Sequence, residues 1–155
     1  MRARALRWLA QREHSTAELR GKLARLGAPL PAVDALLAAL QEQGHLSDAR
    51  FVASRTRVRA ARYGTARIAA ELRQRGAPAD TDTLDSLRAS ELQRAAEVFR
   101  RRFGEPAATP ALRAKQARFL LQRGFATAVV RRVVAGLDDE ATAGQADAAE
   151  DGDNP

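Results

Sequence analysis

The sequence predicts an all-α protein made of three tandem repeats of a three-helix unit, stacked as an elongated array. Three observations carry this. First, one stretch is written three times. Residues 19–29 read LRGKLARLGAP, residues 68–78 read IAAELRQRGAP, and residues 116–126 read QARFLLQRGFA. The glycines at 27, 76 and 124 are spaced by 49 and 48 residues, a period typical of stacked helical units. Second, apolar residues recur at helical spacing, as at Leu19, Leu23 and Leu26. Third, all six prolines lie between or outside the periodic segments, and no strand-like alternation competes.

The first repeat spans about 2–45. Its first helix covers 2–13, with Leu6 and Leu9 on one side and Trp8 nearby. Ser15 and Glu18 form a capping box: the hydroxyl accepts from an amide three residues on, and the carboxylate reaches back. Gly27 stops the second helix because glycine tolerates positive φ. Pro31 suits a first turn, and the third helix carries Val33, Leu36, Leu37 and Leu40 before Gly44.

The second repeat, 47–89, opens at Ser47-Asp48. Its first helix holds Phe51, Val52 and Val58, with arginines all round it and no clean apolar face. The stretch 63–78 supplies its second helix, with Ile68 and Leu72 inward and Gly76 as the stop. A weaker third helix carries Leu84 and Leu87. The third repeat, 90–137, starts at a second capping box, Ser90 and Gln93, and sets Leu92, Phe99 and Phe103 on one face. Thr109-Pro110 caps the next helix, which stops at Gly124, and the last helix packs Val129, Val130, Val133, Val134 and Leu137. Phe51, Phe119 and Phe125 are expected in the core, Trp8 in the core or at a contact, and Tyr63 packed on its own repeat.

Charge is uneven. Residues 1–137 hold 26 Lys and Arg against 12 acids, a net of +14; residues 138–155 hold seven acids and no base. The basic part points to a polyanion or an acidic protein surface as partner. The acidic tail, 138–155, has no large apolar residue and is expected to be disordered. Cysteine is absent, which excludes disulfides, thiolate zinc sites and a cysteine nucleophile. There is no GxxxxGK phosphate loop, and the two histidines, His14 and His45, are not at ligand spacing. Catalytic, metal and cofactor sites are therefore not expected, and the chain reads as a binding protein. No apolar run approaches the roughly 20 residues of a membrane span, and residues 2–7 carry three arginines, so a cytoplasmic protein is expected.

Four motifs resemble the RecX family of regulatory proteins, which control the RecA recombinase in bacteria. They are REHS with AEL at 12–19, GHLSDARF at 44–51, YGTARIAAELRQRG at 63–76 and FLLQRGF at 119–125. Together, in this order, they are specific, and the similarity covers most of 5–137. The resemblance implies a crescent of three three-helix repeats. It also implies a monomer that binds RecA filaments on single-stranded DNA, damps ATPase, strand exchange and coprotease activity, and so regulates recombinational repair and the SOS response. A second reading, from charge alone, is a sequence-tolerant DNA-binding module that acts without RecA.

The copies differ at the position before each glycine stop: Leu26 in the first, Arg75 and Arg123 in the others. One reading places each guanidinium on the last carbonyls of its own helix. The other turns a basic surface to the partner through Arg67, Arg73, Arg75, Arg118, Arg123, Arg131 and Arg132. Arg57, Arg59 and Arg62 are candidates for the same contact with RecA or DNA.

Overall fold

The computed structural model describes residues 1–137, and the disorder expected over 138–155 lies outside them. The described residues form nine helices and no strand. The helices are α1 (Arg2–Gln11), α2 (Thr16–Ala24), α3 (Leu30–Glu42), α4 (Asp48–Ala60), α5 (Thr65–Gln74), α6 (Thr81–Ala89), α7 (Glu91–Phe103), α8 (Pro110–Gln122) and α9 (Thr127–Val134).

These divide into two compact units. One comprises residues 1–59 and 68–81, the other residues 60–67 and those from 82 on. The first is built around Leu19, Leu23, Val33 and Leu40, all fully buried, with Leu37 and Leu46 beside them. Trp8 sits at the edge of this core, with the Lys22 ammonium 4.4 Å from its ring centre. Phe51, Ile68 and Leu72 are buried in the same unit. The second is built around Leu92, Val98, Phe99, Leu120, Phe125, Val130 and Val133, where α7, α8 and α9 meet. The long apolar stripe of α7 explains this: Leu92, Ala95, Ala96, Val98 and Phe99 are all buried on one side of the helix.

Two devices recur where one repeat meets the next. In the first, an acid that opens the following repeat caps the preceding repeat's second helix. The Asp48 carboxylate accepts from the Thr16 amide at 2.7 Å, and the Glu91 carboxylate accepts from the Thr65 amide at 2.9 Å. In the second, the start of a repeat's second helix grips the glycine stop of the next. The Ser15 hydroxyl donates to the Arg75 carbonyl at 2.6 Å, and the Gly64 amide donates to the Arg123 carbonyl at 2.8 Å.

That approach is close enough to require glycine. A Cβ on Gly64 would collide with the backbone carbonyl of Gly124. At Gly76, φ is +70° and a Cβ would lie 2.5 Å from that of Ala17. The third repeat closes differently. Its second helix, α8, is capped by its own Thr109, which accepts from the Leu112 amide at 3.3 Å.

Two expected capping boxes change. Ser15 does accept from the Glu18 amide at 3.1 Å, but the Glu18 carboxylate does not serve its own helix start. Its oxygens go to Arg12, His14 and Arg75. Ser90 is not a side-chain cap at all. It sits in a helical conformation where α6 runs straight into α7, so its hydroxyl donates back to the Ser86 carbonyl at 3.1 Å.

Candidate functional site, an arginine groove with an aromatic floor

Residues 60–67 belong to the unit that contains α7 and α8, and they are held there by a buried arginine. Arg94 of α7 donates to the carbonyls of Tyr63 at 2.6 Å, Ala60 at 3.2 Å and Leu87 at 2.9 Å. It also reaches the Thr65 hydroxyl at 3.3 Å. Burial pulls Arg94 below the usual arginine range, and Glu91 opposes this. Five donors in a fixed fork suit Arg94 to collecting several carbonyls at once.

The fixed loop places Tyr63 beside α7 and α8. Arg67 lies over the Tyr63 ring with its guanidinium carbon 4.7 Å from the ring centre, and Arg123 lies 5.8 Å from it. Arg123 also covers Phe119 at 4.5 Å, and Phe119 meets Phe103 edge-on at 5.2 Å. Backbone carbonyls fix the two guanidiniums further. Arg67 donates to the Gln122 carbonyl at 2.9 Å, and Arg123 to the Arg62 carbonyl at 3.2 Å.

Around this floor opens a groove of about 320 Å³, lined by Arg62, Tyr63, Val98, Arg101, Arg102, Phe119 and Arg123 among others. Four guanidiniums face it, and no acid lines it. Glu97 engages Arg101 from outside the lining at 3.2 Å. Arg62 and Arg102 have no ion pair among the described residues. Guanidinium groups stacked on rings keep their N–H edges outward, ready to fork onto a phosphate or carboxylate.

Of the ten arginines singled out from the sequence, Arg62 and Arg123 line this groove, and Arg67 flanks Tyr63 behind it. Arg118 on α8 and Arg131 and Arg132 on α9 are exposed in the same unit. Arg131 borders a separate apolar groove with Leu121, Val130 and Val134. Arg57, Arg59, Arg73 and Arg75 belong to the other unit. There Arg59 joins Arg55 on Glu71, at 2.8 Å from its carboxylate, while Arg57 and Arg73 are exposed.

Arg75 pairs with Glu18 across to α2. Neither Arg75 nor Arg123 turns to its own helix end, because those carbonyls already accept from Ser15 and from Gly64. Sequence reasoning missed Arg94, Glu91, Arg101 and Arg102 as parts of the site. Arg100-Arg101-Arg102 at the end of α7 was the visible signal; Arg94 and Glu91 carried none.

Family models for the first, second and third three-helix domains of RecX match residues 2–40, 47–81 and 89–134. The chain belongs to the RecX family. Among its relatives, a regulatory protein RecX of Leptothrix cholodnii is 51% identical over 142 residues, covering 90% of each chain. One from Ralstonia nicotianae is 48% identical over 140 residues, covering 89% of this chain and 88% of the relative. In fold, the chain resembles the crystal structure of RecX from Lactobacillus salivarius, with TM-score 0.68 at 17% identity, covering 88% of this chain and 93% of that one. RecX membership and the all-helical, three-domain organisation expected from the motifs are thereby established. No helix among the described residues is long and apolar enough to cross a membrane.

Proposed function

We propose that this RecX-family protein binds RecA filaments on single-stranded DNA and damps their ATPase, strand-exchange and coprotease activities. It acts as a cytoplasmic monomer, without cofactor or catalytic residue. The observation that supports a polyanionic partner is the groove whose four guanidiniums surround Tyr63 and Phe119 with no acid in the lining. A filament on single-stranded DNA offers both phosphates and protein carboxylates to such a groove. Exposed Arg57, Arg73, Arg118, Arg131 and Arg132 extend the basic character beyond it. Damping requires tighter binding to one filament state than to another, since equal affinity for both shifts nothing.

The test is DNA-dependent ATP hydrolysis by RecA of the same bacterium. Substoichiometric protein slows hydrolysis, and co-sedimentation shows it on the filaments. Unchanged hydrolysis at equimolar folded protein overturns the proposal. Tight, salt-sensitive binding to bare DNA with no added affinity for filaments instead supports the DNA-binding module acting without RecA.

A further inference from the structure

The glycine turn that ends a repeat's second helix is covered in two of its three copies. At Gly76, the Ala17 methyl group lies 2.5 Å from where a Cβ would stand, and the Arg75 carbonyl just before the turn accepts from the Ser15 hydroxyl. At Gly124, the backbone nitrogen of Arg67 lies 2.7 Å from the same point, and the Arg123 carbonyl accepts from the Gly64 amide. In both, the cover is the start of another helix, α2 or α5, entered through a small residue. The third copy, Gly27, has the same left-handed backbone, with φ +80°, yet nothing lies within 4 Å of its Cβ position. The Leu26 carbonyl before it accepts no hydrogen bond from the described residues.

The open copy is also the apolar one. Leu26 stands where the other copies have Arg75 and Arg123, and it lines a pocket of about 310 Å³ with Met1, Arg4, Leu23, Gly27 and Ala28. Met1 and Leu26 are half-exposed, as is Leu30 at the start of α3. Arg4 is exposed and meets no carboxylate among the described residues, and no acid lines the pocket. Exposed apolar side chains gathered around open backbone mark a docking face. Its occupant must donate a hydrogen bond to the carbonyl and bring apolar surface. A phosphate does neither, since its oxygens accept. The start of a protein helix does both, through its free N–H groups and its first-turn side chains. A second copy of this chain does not suit the turn. The position twelve residues before the glycine stop is Ser15 in the first repeat and Gly64 in the second, but Leu112 in the third, too bulky for the approach that Gly64 makes.

We propose that the open Gly27 turn, with Met1, Leu26 and Leu30 around it, is the face that takes the protein component of the filament, by receiving the start of a helix of that partner. The occupant carries Ser or Gly at its cap and an apolar side chain in its first turn, which meets Leu26. An acid in the same turn meets Arg4, as Glu18 of α2 meets Arg75. This rests on reading the RecA filament as the partner, and it adds a protein-directed face to the anion-directed groove around Tyr63.

The test uses the full chain, RecA filaments of the same bacterium formed on oligothymidylate, and fluorescein-labelled oligothymidylate without RecA. One variant combines Leu26→Gln with Leu30→Gln, which keeps the charge. Leu30→Gln alone is the second, and it carries the test should the double variant not fold. Co-sedimentation shows filament affinity lowered about tenfold for the double variant and about threefold for the single one, while anisotropy shows bare oligothymidylate bound as tightly as by the native chain. Native affinity for filaments in both variants overturns the docking face. Equal losses on filaments and on bare oligothymidylate also overturn it, since the turn then serves nucleic acid. Self-association of the native chain that the leucine variants abolish, seen by sedimentation without RecA, overturns it in favour of a second copy. Failure of the native chain itself to sediment with filaments is a separate result, which overturns the filament reading and this face with it.

Discussion

Ser15 donates its hydroxyl hydrogen to the carbonyl of Arg75 at 2.6 Å while its oxygen accepts from the Glu18 amide at 3.1 Å. One buried hydroxyl therefore closes two helix termini that lie 60 residues apart. The helix start needs an acceptor for its free N–H groups, and the helix end needs a donor for its free carbonyls. The same economy recurs at Gly64, where a backbone amide replaces the hydroxyl because two chain segments lie too close for a side chain. This is why the repeats hold to a period of 48–49 residues. The second helix of each repeat must deliver its glycine turn to the start of the preceding one.

The Glu18 carboxylate should make stability depend on acid. Burial alone raises its pKa, but hydrogen bonds from Arg12 and Arg75 outweigh that and hold it down to about 2, against an ordinary 4.5. A lowered carboxylate pKa contributes stability above pH 4.5 that is lost as pH falls toward 2. Both arginines are nearly half exposed, so water reduces the effect, and Glu18→Gln should cost about 1 to 2 kcal/mol at pH 7. His14, 2% exposed, is shifted down by burial and by Arg12 and Lys22, so its protonation begins to destabilise the fold below pH 6.5. Urea denaturation from pH 8 to 3 checks this: native stability falls in two stages, and the Glu18→Gln variant loses the lower one. A flat profile below pH 4.5 in the native chain contradicts it.

Gly64→Ala should be severely destabilising, by about 3 kcal/mol or more, since the new methyl group meets backbone rather than a yielding side chain. Gly21→Ala is the control. A Cβ there meets nothing within 4 Å, and alanine favours the helix by about 1 kcal/mol. Thermal melts should move in opposite directions, and a Gly64→Ala melt within 2 °C of native would show that the junction yields.

Glu91→Ala removes the acceptor of the Thr65 amide and leaves Arg94, already buried, without a nearby carboxylate. A loss of about 2 kcal/mol is expected, above a simple cap deletion, because the uncompensated arginine adds to it. Hydrogen exchange should show the Thr65 amide deprotected, and unchanged protection there would mean that another acceptor had taken over.

The sequence made much of this fold readable, because repeat period, apolar seams and glycine stops are local signals. Leu19, Leu23, Ile68, Leu72 and Leu120 stand at those seams, and each is buried. The site was readable only in part. Arg62, Arg67 and Arg123 stand out in sequence, but nothing local says that Arg67 and Arg123 share one tyrosine. Arg94 and Glu91 looked like ordinary polar residues of an amphipathic helix. Their roles depend on the Ala60 and Tyr63 carbonyls and the Thr65 amide, 26 to 34 residues away, a separation that no periodicity reports. Glu18 misled for the opposite reason. The motif around it is genuine for Ser15, yet two arginines and the His14 ring outcompete the local amide for the carboxylate.

Arg73 and Arg75 separate binding from folding. They are two residues apart, yet Arg73 is exposed while Arg75 pairs with Glu18. Arg75→Ala should lower stability by about 1 kcal/mol, because a largely buried carboxylate loses one of its cations. Arg73→Ala should leave the melt unchanged and act on filament affinity alone, with the slope of affinity against salt falling by about one. Measuring melts and filament binding for both variants gives a two-by-two outcome. If Arg73→Ala leaves filament binding untouched at every salt concentration, this face of α5 does not meet the filament, and the groove around Tyr63 carries the contact without it.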